Sequence, residues 1–343
     1  MIQYSFQNDY SEGAHLRILE ALTKTNLDQQ PGYGEDRYCL EAANLIRKVS
    51  ASPDADVHFV SGGTQANLIL LSSCLRSYES VIAVDTGHIL VHETGSIEAT
   101  GHKIHGVKGQ NGKVTVAEIE DVVRVHGSDE HMVHPRVVYI SHSTEIGTIY
   151  SAKELRDISA TCKALNLYLY LDGARLGSAL TSTSADLDMK ELSSLVDAFY
   201  IGGTKNGALL GEALVINHPR LKPDFRYFIK QRGGLLSKGR VLGIQFLELF
   251  KDDLFFDLAR NANSMASKLA AGISALGYGF QSDSPTNQIF PIFPNAVIKK
   301  LNESYLFYVW NKVDSGHSAV RLVTSWATPE KAIDGFLAAL KTI

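Results

Sequence analysis

Leu167-Tyr168-Leu169-Tyr170-Leu171 runs directly into Asp172-Gly173-Ala174-Arg175. The apolar run reads as a buried strand, so a carboxylate and a guanidinium stand at its end. A second run, Ala198-Phe199-Tyr200-Ile201, delivers Gly202-Gly203-Thr204-Lys205-Asn206-Gly207. A buried carboxylate is costly unless something pairs with it, and a protonated pyridine nitrogen would do so. A lysine among small residues has room for a flat ring, and desolvation makes its amine more nucleophilic. Taken singly, a strand-end aspartate caps a helix and a loop lysine is a solvated charge. Together they are what pyridoxal phosphate (PLP) chemistry requires, with Asp172 on the ring nitrogen and Lys205 forming the Schiff base.

Three further groups add to this pair. Ser61-Gly62-Gly63-Thr64-Gln65 lies between a strand and a helix pattern, where backbone amides and the helix dipole favour an anion such as the cofactor's phosphate. It is neither a Walker loop nor a G-x-G-x-x-G fingerprint. His88 and His92 are four residues apart, with Glu93 next. That spacing suits zinc on a helix, but the glutamate is misplaced for H-E-x-x-H and no third ligand stands out. A histidine stacked on the cofactor ring, with His88 favoured, fits better. Arg175 and Arg321 are the candidates for a bidentate clamp on a substrate carboxylate; a structural salt bridge is the alternative for each.

Short β-rich runs separated by helical patterns hold these residues. Val57–Val60, Val81–Val84, Val137–Ile140, Leu167–Leu171, Ala198–Ile201 and Ala213–Ile216 read as strands. The last two are close enough to be antiparallel; the others have the spacing of βαβ crossovers in a mostly parallel sheet. Thr115-x-x-Glu118 and Ser151-x-x-Glu154 fit capping boxes. Thr328-Pro329-Glu330 predicts a cap and an N1 proline before a final helix. A long helical pattern from about Leu242 through Ile273 predicts a link to a smaller domain with strands at Gln288–Phe293 and Ser318–Val323. The expected division is 1–242, a large cofactor-binding domain with an N-terminal arm, and 243–343, the linking helix and a small C-terminal domain.

Composition narrows the classes. The 343 residues carry 33 Lys+Arg against 37 Asp+Glu, net −4, with interspersed signs and 45% hydrophobic residues. This is the balance of a globular chain with a substantial core, without a basic stripe for nucleic acid or an amphipathic basic helix for membranes. Three cysteines without C-x-x-C spacing point to a reduced, cytoplasmic setting. Met1-Ile2-Gln3-Tyr4-Ser5-Phe6 lacks the marks of a signal peptide.

Several segments in order along nearly the whole chain resemble the threonine aldolases, of the β-eliminating lyase group of fold-type I PLP enzymes. They are Gly32-Tyr33-Gly34, Gly63-Thr64-Gln65-Ala66-Asn67, Gly87-His88, His92-Glu93-Thr94-Gly95, Leu171-Asp172-Gly173-Ala174-Arg175, Thr204-Lys205 and Val320-Arg321-Leu322-Val323-Thr324. The resemblance implies an α/β fold with a mostly parallel central sheet flanked by helices and a smaller α+β C-terminal domain. It implies that Lys205 forms the Schiff base beside Thr204, Asp172 pairs with the ring nitrogen and His88 stacks on the ring. Gly63 and Thr64, with Gln65 adjoining, would hold phosphate. Arg175 and Arg321 would hold the substrate carboxylate, with Arg175 also near the cofactor's phenolic oxygen. Asn8, in Asn8-Asp9-Tyr10, takes the place of a substrate-contacting serine. Tyr33 matches a tyrosine that enters a neighbouring subunit's site, implying homodimers or homotetramers with shared active sites. Two departures stand out. Glu145 replaces a histidine that lies near the substrate's β-hydroxyl in many members, and a leucine replaces a phosphate-binding arginine near Lys238, which is the candidate substitute.

The expected reaction is retro-aldol cleavage of threonine or allo-threonine to glycine and an aldehyde, with His88, His92, Glu145 or a water as base. The rivals are a PLP-dependent β-eliminating lyase or aminotransferase, a zinc hydrolase on His88 and His92, and a PLP-binding protein without turnover.

Overall fold

The computed structural model describes residues 3–127 and 129–343; Met1 and Ile2, where the segment read for targeting begins, lie outside the described residues. After a two-residue strand β1 (Tyr4–Ser5), the chain forms β2 (Asp56–Val60), β3 (Glu79–Val84), β4 (Ile104–Val107), β5 (His134–Ser141), β6 (Tyr168–Asp172), β7 (Ala198–Gly202) and β8 (Glu212–Ile216). Strands β2 to β8 make one sheet in the order β2-β8-β7-β6-β5-β3-β4. Only β8 runs against its neighbours, as the short Gly-rich connection from β7 predicts. Strand β4 was not expected: His105 and Gly106 break its apolar pattern, and it needs to satisfy only one neighbour, β3.

Strand alternation sorts side chains onto the two faces of the sheet. Ile82, Val138, Leu169, Leu171, Phe199 and Val215 belong to one core. Val81, Val137, Tyr139, Tyr170, Tyr200 and Leu214 belong to the other, which contains Ala66, Ile69 and Leu70 of the helix Gly63–Cys74. With α1 (Leu16–Lys24) and α2 (Arg37–Val49) preceding it, that helix is α3. Asp172 has the parity of Tyr170 and so faces the α3 side. Both expected capping boxes form, Thr115 with Glu118 and Ser151 with Glu154.

The C-terminal unit has its own sheet and core. Strands β9 (Gln288–Ile289), β10 (Ile292–Pro294) and β12 (Tyr308–Lys312) all pair antiparallel with β13 (His317–Val323). The helices Leu254–Ala275 and Glu330–Lys341 supply Leu269, Ile273, Ile333 and Phe336 to this core.

Three expectations change. The continuous linking helix is two helices, Arg240–Leu249 and Leu254–Ala275, broken where Asp252 and Asp253 take φ of 52° and 57°. Residues 242 and 243 lie inside the first of these helices, which packs on α2. The N-terminal arm joins the C-terminal unit: β1 pairs in parallel with β11 (Tyr305–Leu306), and Phe6 is fully buried in the third core. The last helix begins one residue later than expected, with Pro329 at its N-cap, while Thr328 Oγ1 accepts from the Ser325 amide. Among the described residues no helix is long and apolar enough to cross a membrane.

Candidate active site

Strands β5, β6 and β7 end on one side of the large sheet, next to the N-terminus of α3. In open α/β sheets this is where ligands bind. A cavity of about 330 Å³ lies there, lined by Lys205, Asp172, His88, Glu145, Arg175 and Thr204, with Ser61 to Thr64 at its edge. Asp172 and Lys205 thus share one pocket.

Asp172 is nearly inaccessible and held from all sides. Its Oδ1 accepts from the Tyr200 hydroxyl at 2.5 Å and the Ala174 amide at 3.0 Å. Its Oδ2 accepts from the Tyr139 hydroxyl at 2.5 Å and Asn67 Nδ2 at 3.3 Å. Both phenols come from flanking strands and project to the α3 face. Gly63 is required by this packing: a Cβ there would stand 2.7 Å from the Tyr200 hydroxyl.

Lys205 is enclosed, and it makes no hydrogen bond or ion pair among the described residues. Burial, then the charge of Arg175, lowers its proton affinity against the pull of Asp9, Asp172 and Glu212. Glu212, at the start of β8, accepts from the Gly203 amide at 2.9 Å; burial pushes its carboxyl up to about 8, with Lys205 opposing. Both shifts favour uncharged forms, which is what a nucleophilic amine requires.

His88 shares a hydrogen bond of 2.8 Å through Nδ1 with Glu93 Oε1. Burial alone would lower its pKa, but Glu93 and Asp172 outweigh that and hold it above the ordinary value. Glu93 is anchored by Asn67 Nδ2 at 2.7 Å and Ser96 Oγ at 2.7 Å. Glu145 Oε1 accepts from Ser141 Oγ at 2.8 Å and the His88 amide at 3.1 Å, while Oε2 is buried without a partner. Burial raises its pKa, and Asp172 adds to the rise against the Ser141 hydrogen bond. Arg175 is committed: its Nε and Nη2 donate to Asp9 at 2.7 and 3.1 Å, and Asn287 also donates to Asp9 at 2.9 Å.

The remaining expected residues lie elsewhere. Gln65 turns away from the cavity: its Oε1 accepts from the Ser61 amide and hydroxyl, and its Nε2 donates to the Arg232 carbonyl. Asn8 closes a local turn by accepting from the Tyr10 amide and Ser11 hydroxyl; its neighbours Asp9 and Tyr10 reach the site instead. Lys238 is exposed and outside this chain's cavity, because its turn packs Gly239 against Gly34 and Cys39. Tyr33 is also outside it, 45% exposed, with Lys230 Nζ 4.9 Å from its ring centroid. Arg321 stands close enough to Arg175, Asp9 and His92 for their charges to interact. The His88 and His92 rings are 5.7 Å apart, and among the described residues no three ligating side chains gather to hold a metal.

The donor set fits PLP. The enclosed amine of Lys205, the carboxylate of Asp172 and the amides opening α3, which have no side-chain cap, suit its aldehyde, ring nitrogen and phosphate in turn. The family model described as beta-eliminating lyase matches residues 14–295. The chain belongs to the beta-eliminating lyase family. Members similar to it include a low specificity L-threonine aldolase of a Pseudomonas species, 34% identical over 98% of this chain and 97% of the relative. Another, from Pseudomonas aeruginosa, is 33% identical over 94% of this chain and 93% of the relative. A solved threonine aldolase of Leishmania major is 50% identical, covers 99% of both chains and superposes with a TM-score of 0.97. A Thermus thermophilus aspartate aminotransferase, 13% identical with a TM-score of 0.74 over 99% of this chain and 91% of its own, shares the fold-type I architecture alone.

Sequence reasoning missed the residues that support this candidate site: Asp9, Asn67, Glu93, Tyr139, Tyr200 and Glu212. Asp9, Asn67 and Glu93 sit inside recognised segments as neighbours of the residues chosen. Glu212 left one signal, a carboxylate heading the apolar run Ala213–Ile216.

Proposed function

We propose that this chain is a PLP-dependent aldolase that cleaves threonine or allo-threonine to glycine and acetaldehyde. The observation that carries the reading is the meeting of Lys205, Asp172 and the α3 N-terminus in one cavity. Bound PLP supplies an electron sink for the pair released when the Cα–Cβ bond breaks. Lys205, Asp172, Gly63 and Thr64 are the residues that would hold it, with His88 against its ring. Tyr139, Tyr200 and Asn67 fix the Asp172 carboxyl in place by donating to it. Arg321 takes the substrate carboxylate; Arg175, locked to Asp9, shapes the cavity wall and adds positive charge. Glu145 takes the β-hydroxyl proton at its unpartnered Oε2, and its raised pKa brings it nearer to the value a general base needs at neutral pH.

Exposed Leu16 and Leu19 on α1, Leu40 on α2, and Leu27 and Leu209 are apolar side chains that association of copies would cover. Tyr33 then belongs to a neighbouring copy's site in a dimer or tetramer. Three unpaired cysteines support a cytoplasmic setting.

The test is to incubate PLP-loaded protein with L-threonine and L-allo-threonine and identify the products. Glycine and acetaldehyde in equal amounts are expected. 2-Oxobutanoate and ammonia without glycine would overturn the aldolase reading in favour of elimination.

A further inference from the structure

The two arginines expected to clamp a carboxylate have opposite surroundings. Arg175 has its fork filled by Asp9. Arg321 has no carboxylate within ion-pair distance among the described residues. Its Nη2 donates to the Gln7 carbonyl at 3.1 Å, and its Nε is buried without an acceptor. A partly buried strand guanidinium left this way is costly, so something else must hold it.

Two aromatic rings do. The Arg321 Cζ stands 5.3 Å from the Trp310 ring centroid and 5.6 Å from that of Tyr308, both within the range at which a cation is attracted to a ring face. Strand register explains the arrangement. Tyr308 pairs directly with Arg321 across β12 and β13, and Trp310, two residues on, projects to the same side. The ladder slips between Val309 and Asn311, so Trp310 is the extra residue of a bulge, a device that re-aims a side chain. Phe290 packs edge-on against the indole, with ring centroids 5.3 Å apart.

Resting on the aldolase reading above, we propose that Trp310 and Tyr308 are positioning residues that hold the Arg321 guanidinium in place, with donors free, for the substrate carboxylate. An aspartate or glutamate would hold the guanidinium equally well but would occupy the fork the substrate needs. Aromatic faces stabilise the cation without presenting a hydrogen-bond acceptor to its N–H edge. A planar guanidinium suits this and an ammonium does not. The Gln7 carbonyl, in the arm that also carries Asp9, fixes one corner of the plane and ties the carboxylate site to the wall of the cavity.

The experiment uses PLP-loaded wild type, W310A, W310F, Y308A, R321A and the W310A/R321A double variant. Glycine and glycinamide are each titrated while following the visible spectrum, and PLP affinity is measured alongside. Glycinamide keeps the amine and lacks the carboxylate. W310A is expected to weaken glycine about tenfold, between the scales of an exposed and a desolvated cation–π contact, with glycinamide and PLP affinity unchanged. W310F keeps a ring face and retains most of the affinity. Y308A, on the half-exposed side, gives a smaller loss in the same sense and covers the case in which W310A does not fold. Adding W310A to R321A changes glycine binding no further, because one residue acts through the other. Equal weakening of glycine and glycinamide by W310A and Y308A, or additivity with R321A, overturns the proposal. If R321A itself does not discriminate the two ligands, the carboxylate role of Arg321 falls and the proposal with it. If R321A discriminates and the ring variants do not, only the aromatic positioning falls.

Discussion

Replacing Asp9 by alanine tests whether the cavity wall depends on a buried ion pair. The Asp9 side chain is 1% exposed and that of Arg175 14%, so water screens the pair little. The substitution removes two charge-assisted hydrogen bonds, at 2.7 and 3.1 Å, and leaves a guanidinium beside the amine of Lys205. Breaking a buried pair from one side costs about 3–5 kcal/mol, whereas replacing both partners by apolar residues of similar volume costs little. Urea unfolding should therefore show that loss for Asp9→Ala, and most of it should return in Asp9→Leu/Arg175→Met. The pH dependence has a definite sign. Burial raises the Asp9 carboxyl, but Arg175, Lys205 and Asn287 prevail and hold it below its ordinary value of 3.8. A carboxyl with a depressed folded pKa contributes stability above its unfolded pKa and loses it as pH falls through the folded one. The gap between wild type and Asp9→Ala should thus be equal at pH 7 and pH 5.5 and close only below about pH 4. A loss under about 1 kcal/mol, the scale of an exposed pair, or a double variant as weak as the sum of its singles, would refute the reasoning.

Other outcomes follow from the same geometry. Glu145→Gln should lower kcat by about 10²–10⁴ and remove the acidic limb of the kcat/KM profile, which in the wild type lies above the ordinary carboxylate range because Glu145 is buried; an unchanged limb assigns the base elsewhere. Glu93→Gln should bring the His88 pKa down, since burial is then opposed by Asp172 without Glu93; NMR titration of the His88 ring reads it directly. Thr115→Ala, far from the cavity, should cost about 1 kcal/mol in urea by removing a capping box, with steady-state cleavage of threonine unaltered.

Which parts of this molecule were legible in its sequence follows from how local each signal is. Strands β2, β3 and β5 to β8 are runs of apolar residues bounded by turns, so period and composition suffice. Lys205 and Asp172 were legible because each ends such a run, and strand ends on one side of a parallel sheet converge. The break at Asp252 and Asp253 was hidden because apolar periodicity resumes after it and neither glycine nor proline marks it. The docking of the N-terminal arm depends on Phe6 filling a core made by residues near 290 to 340, a relation no local window contains. The same distance hid the supports of the site. Asp9 meets Arg175 across 166 positions and Tyr139 meets Asp172 across 33. Arg175 and Arg321 looked equivalent because residue type does not reveal which guanidinium already has a partner.

The charges of the site form one problem with one solution. Asp172 must stay anionic to hold a ring nitrogen, and Lys205 must give up its proton to react, yet both are buried within reach of each other's field. The charge of Asp172 by itself favours an ammonium at Lys205. The structure opposes this from both sides. Two phenols, an amide and a backbone N–H donate to the oxygens of Asp172, so the carboxyl has its partners without the lysine. The positive charge of Arg175, held in place by Asp9, opposes an ammonium, and a Glu212 shifted toward its acid form withholds the compensation one would need. The supporting residues that the motifs left out are therefore the ones that divide the protonation states. A change that returns charge to Glu212 should return the proton to Lys205.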